Sequence, residues 1–341
     1  MLKMPSNTAA WLVADKAKLE VGPAPYTSPG EHEIVVKTGA VAINPADWIF
    51  QDPSSVKMSF PLNFPTILGE DVAGEVVEVG SSVTRFRVGD RVLGLGYGFL
   101  KKRPCESTFQ EYTVLSDQMA SPIPSTMSFE AACVIPLGLA TAAFGMYQKT
   151  YLELQYPSVD PSPTGQVLLV WGGASSVGSN GIQLGVWSGY EVFTTASPKN
   201  FEYVKRIGAN QVFDYHSQSI VEELVDALKG KTIAGVLSCI ADNGVIEVCA
   251  EVLRRSHGNK IISSVIKVAD ELPGGVKTKW IIDENQVAHV VFEDFLPEAL
   301  AEGKLVSAPD HVVVGKGLHS IQHGLDVQKK GMSAKKVVIT L

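Results

Sequence analysis

"VLLVWGGASSVGSNGIQLG", residues 167–185, runs an apolar strand straight into a Gly/Ser turn and then into an amphipathic helix. The turn comprises Gly172, Gly173, Ala174, Ser175, Ser176, Val177 and Gly178. Small residues there let a backbone approach a pyrophosphate, whose charge is met by N–H groups at the helix start. The spacing is not a strict G-x-G-x-x-G, and a plain tight strand-to-helix turn is the alternative reading.

The surrounding sequence favours the nucleotide reading. Apolar strands alternate with helix-length segments from this point on: "QVLLVWG", "EVFTTAS", "QVFDYH", "AGVLSCIA" and "NKIISSVI". Runs apolar on both faces and joined by crossovers predict a parallel doubly wound α/β sheet. The second strand ends in "EVFTTASPKN", where an NAD binder places an acid for the ribose 2'-hydroxyl. No acid stands there. Ser197, Lys199 and Asn200 follow instead, with Tyr215 ending the next strand. An ammonium and hydroxyls pair with a 2'-phosphate that a carboxylate would repel, so the expected cofactor is NADP(H). The competing reading of Lys199 is a solvated lysine at a helix start, a position that suits an acid better.

Before this region the chain reads as β. "TAAWLVAD", "HEIVVKTGAVAI", "DVAGEVVEVG", "DRVLGLG" and "TFQEYTVLS" are short, rich in Val, Ile and Thr, and separated by turn residues. From Ser128 a capped helix is expected through "AACVIPLGLATAAFGMYQK", kinked or divided at Pro136. The Pro-rich "YPSVDPSPTG", 156–165, marks a surface connection. The end of the chain reads strand, helix, strand and is expected to return to the first domain.

The chain has 341 residues, 45% of them hydrophobic, and a net charge of −7 from interspersed acids. Two domains are expected, and no Lys/Arg block is present to neutralise a run of phosphates, so nucleic acid is excluded as a partner. The N-terminal sequence lacks a basic region followed by a long apolar run, and no eighteen apolar residues run together, which predicts a cytoplasmic protein with no membrane contact. Cys105, Cys133, Cys239 and Cys249 are widely spaced and offer no disulfide framework.

"ILGEDVAGEVVEVGSSVTRFRVGDRV", the late glycine-rich turn and "VKRIGANQVFDY" together resemble the medium-chain dehydrogenase/reductase superfamily, essentially end to end. "AINPADW", "PLGLATAAFGM", "WGGASSVGS" and "TTASPKN" are similar to its zinc-free quinone oxidoreductase and enoyl reductase branch, fungal trans-acting enoyl reductases of secondary metabolism included. The resemblance implies a GroES-like β-rich catalytic domain, residues 1–127 and 306–341, interrupted by a Rossmann domain, residues 128–305. The active site would lie in the cleft between them. Zinc-dependent relatives carry a Cys near the position of Asn44, a Gly-His-Glu where this chain has Gly69, Glu70 and Asp71, and a third ligand near "PLGLATA". None of those His or Cys ligands is present, and only Cys105 stands in the loop that corresponds to their four-cysteine lobe. No metal is expected, because two acids on one strand do not supply three or four donors. On an alternating strand those two acids face opposite ways, one toward the cleft and the other toward the domain's backbone or Arg91.

By the same resemblance, Asn44, Pro45 and Asp47 lie at the substrate and nicotinamide end, and Thr141 lies near the nicotinamide ribose. Ser175, Ser176 and Val177 would meet phosphate. Cys239, Ile240 and Ala241, and the stretch from Ser263 to Val265, end strands beside the nicotinamide, where ligands bind doubly wound sheets. Asn44 either orients substrate or cofactor amide, or caps the turn before Pro45. Asp47 either holds a site group or caps the next segment. Trp48 and Tyr97 are either pocket walls or core.

Other motifs carry less. His319 and His323 lack the glutamate of H-E-x-x-H, and "GGASSVG" is not the G-x-S-x-G elbow. Tyr97 and Lys101 have a Tyr-x-x-x-Lys spacing but precede the cofactor motif. The expected function is hydride transfer from NADPH to an activated C=C bond or a quinone without a metal. The alternatives are a zinc-free carbonyl or alcohol oxidoreductase, and an NADP-binding protein without turnover. The substrate is a small or acyl-carrier-bound unsaturated molecule, with Lys101, Lys102 and Arg103 as a docking rim or a solvated loop, and the chain a monomer or homodimer.

Overall fold

The computed structural model describes residues 5–53, 61–282 and 287–341, and of Asn243 the backbone alone. The chain forms two compact units, Met1–Leu137 with Asp310–Leu341, and Gly138–Pro309.

In the first unit, strands β1 (Asn7–Leu12), β2 (Glu20–Ala24), β3 (Glu33–Ile43), β4 (Thr66–Ile67), β5 (Asp71–Val79), β6 (Arg91–Leu95), β7 (Tyr112–Ser116) and β8 (Ala120–Pro122) precede the other unit. A three-stranded sheet runs β2-β1-β4. The β3 strand is long because its Val, Ile and Ala residues are buried nearly throughout, and it pairs with both β5 and β7. Residues 128–137 belong to this unit. The Ser128 hydroxyl caps the short helix Phe129–Ala132 by accepting from Ala131 N at 3.2 Å, and Arg91 stacks over the Phe129 ring.

Pro136 divides the apolar stretch, and a second helix, Pro136–Tyr147, restarts with proline as its first residue, where a missing N–H costs nothing. By length and composition Phe129–Tyr147 is apolar enough to cross a membrane, yet most of it is buried inside the protein.

The second unit contains β9 (Gln166–Trp171), β10 (Glu191–Ala196), β11 (Gln211–Asp214), β12 (Thr232–Ser238), β13 (Ile261–Ser264), β14 (Glu271–Leu272) and β15 (Val276–Trp280). Their order is β11-β10-β9-β12-β13-β15-β14, parallel except for the terminal β14–β15 pair. This is the doubly wound order, with its switch point between β9 and β12. Val167, Leu169, Trp171, Phe193, Val236 and Ile262 form the buried centre under the helices Ile220–Ala227 and Asn243–Arg255. The segment after residue 287 is helical but widens to a π turn over Val291–Phe295. Pro297 follows it, and its ring is incompatible with the carbonyl four residues back in a regular helix.

The chain then returns to the first unit through β16 (Asp310–Lys316), the helix Ile321–Lys329 and β17 (Lys335–Thr340). Strand β17 pairs antiparallel with β3, completing the order β16-β17-β3-β5-β6-β8.

Candidate functional site

Two groups of expected site residues take shape, one in each unit. In the second unit, Gly172 has φ +86, a conformation glycine adopts freely. A Cβ at Gly178 would lie 2.2 Å from the Gly172 carbonyl oxygen, and one at Gly173 would lie 2.2 Å from Thr194 Oγ1. Only glycines let the helix Ser176–Trp187 start this close to the strand. Ser175 is its N-cap, with its hydroxyl accepting from Gly178 N at 3.0 Å. A helix's first turn leaves further N–H groups without an intrahelical acceptor. The cradle therefore fits a pyrophosphate.

Thr141, half-buried, lies one turn after Gly138, where a Cβ would sit 2.5 Å from Ser176 Oγ. The helix bearing Thr141 thus crosses the start of the phosphate-turn helix. Ser197 begins the short 3-10 turn Pro198–Asn200 directly after β10, and its hydroxyl accepts from Asn200 Nδ2 at 3.2 Å. Lys199 is exposed and has no ion pair among the described residues. Tyr215 follows β11, 45% exposed, with its ring tilted by 32° against that of His216 at 4.0 Å between centroids. Because Ala196 and Asp214 are register partners in adjacent parallel strands, Ser197 and Tyr215 leave the sheet at the same edge.

At the switch point, a Cβ on Gly172 would meet the Ile240 side chain at 2.4 Å, so Ile240 lies over the turn. Cys239 N donates to Trp171 O at 3.0 Å, its thiol is buried, and Ala241 is exposed. The Ser263 hydroxyl donates to Gly145 O at 2.8 Å, and Val265 N donates to Ser238 O at 3.1 Å. Those two groups are committed within the unit. They brace the sheet rather than offer hydrogen bonds outward.

In the first unit, strand register creates a buried polar cluster. Ile43 pairs with Val337, and Ala42 pairs with Asp71, which brings Asn44, Asp71 and Lys336 together across three neighbouring strands. Asn44 Nδ2 donates to Asp71 Oδ2 at 2.8 Å, and Lys336 Nζ donates to Asn44 Oδ1 at 2.5 Å. The ammonium is also 3.0 Å from Asp71 Oδ2. Asp71 Oδ1 accepts from Leu137 N at 2.6 Å. Asp47 Oδ2 accepts from Asn44 N at 2.7 Å at the start of the helix Pro45–Gln51, whose first residue is the exposed Pro45. Asn44 and Asp47 thus form the capping box at this helix start, and the Asn44 amide is also tied to Asp71 and Lys336.

These groups are almost wholly removed from water: Asp71 is 0% exposed, Asp47 1%, Asn44 3%, Lys336 4% and Glu70 5%. Burial, with the Asp71 charge nearby, pushes Asp47 up to about 7 against the bonds from Asn44 and Gly69 N–H and the charge of Lys336. Glu70 is held well above the usual carboxylate range, first by burial and then by Asp47 and Asp71. Its Oε2 is buried with no hydrogen-bond partner. Burial, then the Asp71 charge, also raises the Cys133 thiol.

Several expectations are corrected here. Arg91 holds neither acid of the Glu70–Asp71 pair: its guanidinium donates to Pro124 O and Met127 O. Gly69 at φ +94 turns the chain before β5, so Glu70 precedes the strand and is buried beside Asp47 and Asp71. Trp48 donates to Gln328 Oε1 at 2.8 Å, which ties it to the C-terminal helix. Lys101 is 2.8 Å from Glu106, and Arg103 is 2.6 Å from both Glu33 and Glu106. Two of the three expected rim cations are thus neutralised inside the unit.

Lys336 was not singled out in the sequence, although it is the second residue of the apolar strand β17, where an inward-facing charge requires a partner. Among the described residues, no three His, Cys, Asp or Glu side chains are grouped to hold a metal ion. An ammonium within 3.0 Å of Asp71 is also a poor neighbour for a divalent cation. The donor set does not fit zinc.

The family model for the alcohol dehydrogenase GroES-like domain matches residues 30–125. "Dehydrogenase pigH" of Monascus ruber is 48% identical over 99% of this chain and 100% of that protein. "Zinc-binding alcohol dehydrogenase domain-containing protein cipB" of Emericella nidulans is 47% identical over 98% of each. "Trans-enoyl reductase himH" of Aspergillus japonicus is 38% identical over 98% of this chain and 97% of that protein. Among solved structures, an alcohol dehydrogenase superfamily protein from Novosphingobium aromaticivorans superposes with a TM-score of 0.80 at 21% identity, covering 98% of this chain and 99% of that one. The CurK enoyl reductase gives 0.73 at 19% identity with the same coverage. These two show a shared fold. With relatives this similar over their full length, and with both a GroES-like unit and a doubly wound unit in one chain, the chain belongs to the medium-chain dehydrogenase/reductase superfamily, in its enoyl-reductase-like branch.

Proposed function

We propose that the chain is an NADP(H)-dependent reductase that works without zinc on an activated C=C bond, as in an enone or enoyl thioester, or on a quinone. The observation that supports this reading is the set of side chains joined in the first unit, an amide, a carboxyl and an ammonium, the last of which repels a divalent cation. Carbonyl reduction gains most from a metal that polarises oxygen. Conjugate reduction needs only hydrogen-bond donors for the developing enolate.

When bound, NADPH supplies hydride from its nicotinamide C4. Ser175, Ser176 and Val177 hold the pyrophosphate at the helix start, and Ser197, Lys199, Asn200 and Tyr215 receive the 2'-phosphate. Ile240, which lies over the Gly172 turn, and Thr141 would hold the nicotinamide half. Asn44 donates toward the substrate oxygen with the amide hydrogen not given to Asp71, and its orientation is fixed because lysine only donates and an ionised carboxylate only accepts. The bound cofactor would supply the hydride for the β-carbon, the Asn44 amide would hold the oxygen on which negative charge develops, and water would supply the α-carbon proton. We also propose a cytoplasmic setting, which the widely spaced cysteines suit, and by resemblance a place in secondary metabolism.

The test is a panel of quinones, enones, enoyl thioesters and ketones, each given to chelated protein with NADPH. Reduced C=C or quinone supports the proposal. Alcohol from a ketone as the main product, NADPH binding without consumption, or activity that vanishes on chelation and returns with zinc would each refute it.

A further inference from the structure

Resting on the zinc-free reading above, we propose that Lys336 is a positioning residue whose buried ammonium locks the Asn44 amide against Asp71 and itself occupies the place a metal ion would need. Lys336 approaches Asn44 and Asp71 from β17, nearly three hundred residues away in sequence, because Val337 is the register partner of Ile43. Its two contacts are complementary: Nζ donates to Asn44 Oδ1 at 2.5 Å and stands 3.0 Å from Asp71 Oδ2, which accepts Asn44 Nδ2 at 2.8 Å. The three side chains close a ring in which each polar group has a partner of opposite character. The ring fixes which end of the Asn44 amide is the donor. An amide free to flip would present its oxygen to the substrate in half of its orientations.

The same cation balances charge. Three carboxyls, of Asp47, Glu70 and Asp71, lie buried around it, and burying them without a counter-ion would be expensive. A divalent ion entering the ring would have to displace the ammonium, which the strand tethers in place. Glu70 Oε2, buried and unpartnered, shows that the group is not closed by hydrogen bonds alone.

The experiment is a double-mutant cycle on the full-length protein, chelated and supplied with NADPH, using whichever quinone or enone it turns over. Lys336→Met, Asn44→Ala and the double variant are compared for kcat, for NADPH affinity by nucleotide fluorescence and for folding by circular dichroism. Misorienting the amide is expected to lower kcat about tenfold to a hundredfold in Lys336→Met. NADPH affinity should be unchanged, and the double variant should be no slower than Asn44→Ala. Multiplicative losses in the double variant, or full turnover in folded Lys336→Met, overturn the proposal.

Should Lys336→Met fail to fold, wild type incubated with cobalt(II) and dialysed decides the matter. No retained cobalt and no visible absorption is the expected result. Stoichiometric cobalt lost on Asp71→Asn overturns it. Loss of wild-type activity on chelation, restored by zinc, would defeat the proposed function itself, whereas active chelated enzyme with multiplicative losses defeats only the role of Lys336.

Discussion

Lys199 and Asp47 stand in opposite surroundings: one is exposed to water, the other is held away from it beside a charge of its own sign. If Lys199 meets only a 2'-phosphate, Lys199→Ala should weaken NADPH by about tenfold to a hundredfold, the worth of a charge-assisted hydrogen bond, and leave NADH unchanged. Equal losses for both nucleotides would remove it from the cofactor site. Asp47 titrates in the folded protein near 7, from an ordinary 3.8. Below the ordinary value both states are protonated. As pH rises toward 7 the unfolded chain releases this proton first, so the folded state loses stability across that interval. Denaturant unfolding should accordingly show a fall in stability between about pH 4 and pH 7 that is smaller in Asp47→Asn, with Glu70 contributing in the same direction. Asn44 and Asp47 were legible from "INPADW", but their division of labour was not. Both belong to the helix's capping box, and what ties the Asn44 amide to Asp71 is shared with Lys336, whose approach is a matter of strand register that no local pattern contains.

The strand-to-helix turn at Gly172 is the element that sequence described best, because its small residues answer a local steric need. Gly178→Val should abolish tight NADPH binding and lower the thermal midpoint, since its Cβ would meet the Gly172 carbonyl oxygen at 2.2 Å. Ser175→Ala should cost about 1 kcal/mol of stability through the lost N-cap, measured by urea unfolding. The parallel strands β9, β10, β12 and β13 were equally readable from their apolar runs, and β11, half-buried at the edge, from its place between two helix-length segments. The sixth, β15, was not: "VKTKW" alternates buried Val276 and Thr278 with lysines, which reads as a half-exposed or isolated strand rather than as a continuation of the sheet. Pro136 announced the break in the apolar helix because proline's constraint is local. The π turn at Val291–Phe295 went unread, although Pro297 supplies a similar local cause.

At the scale of the whole chain, the first unit is assembled from two distant segments, and the charged cluster sits at the join between them. Breaking a buried ion pair leaves its partner desolvated, so Asp71→Ala should destabilise this unit by about 3–5 kcal/mol, seen as an earlier transition in thermal unfolding. The same join holds the buried ammonium of Lys336 against Asp71, on which the proposed zinc-free chemistry rests. The most direct measurement follows one atom. Chelated enzyme is given NADPH deuterated at the transferring C4 position and an α,β-unsaturated thioester, and the product is analysed by NMR. The account predicts deuterium on the β-carbon of a saturated product, with rates indifferent to added zinc. Deuterium on a carbinol carbon, or transfer only after zinc is supplied, would contradict it.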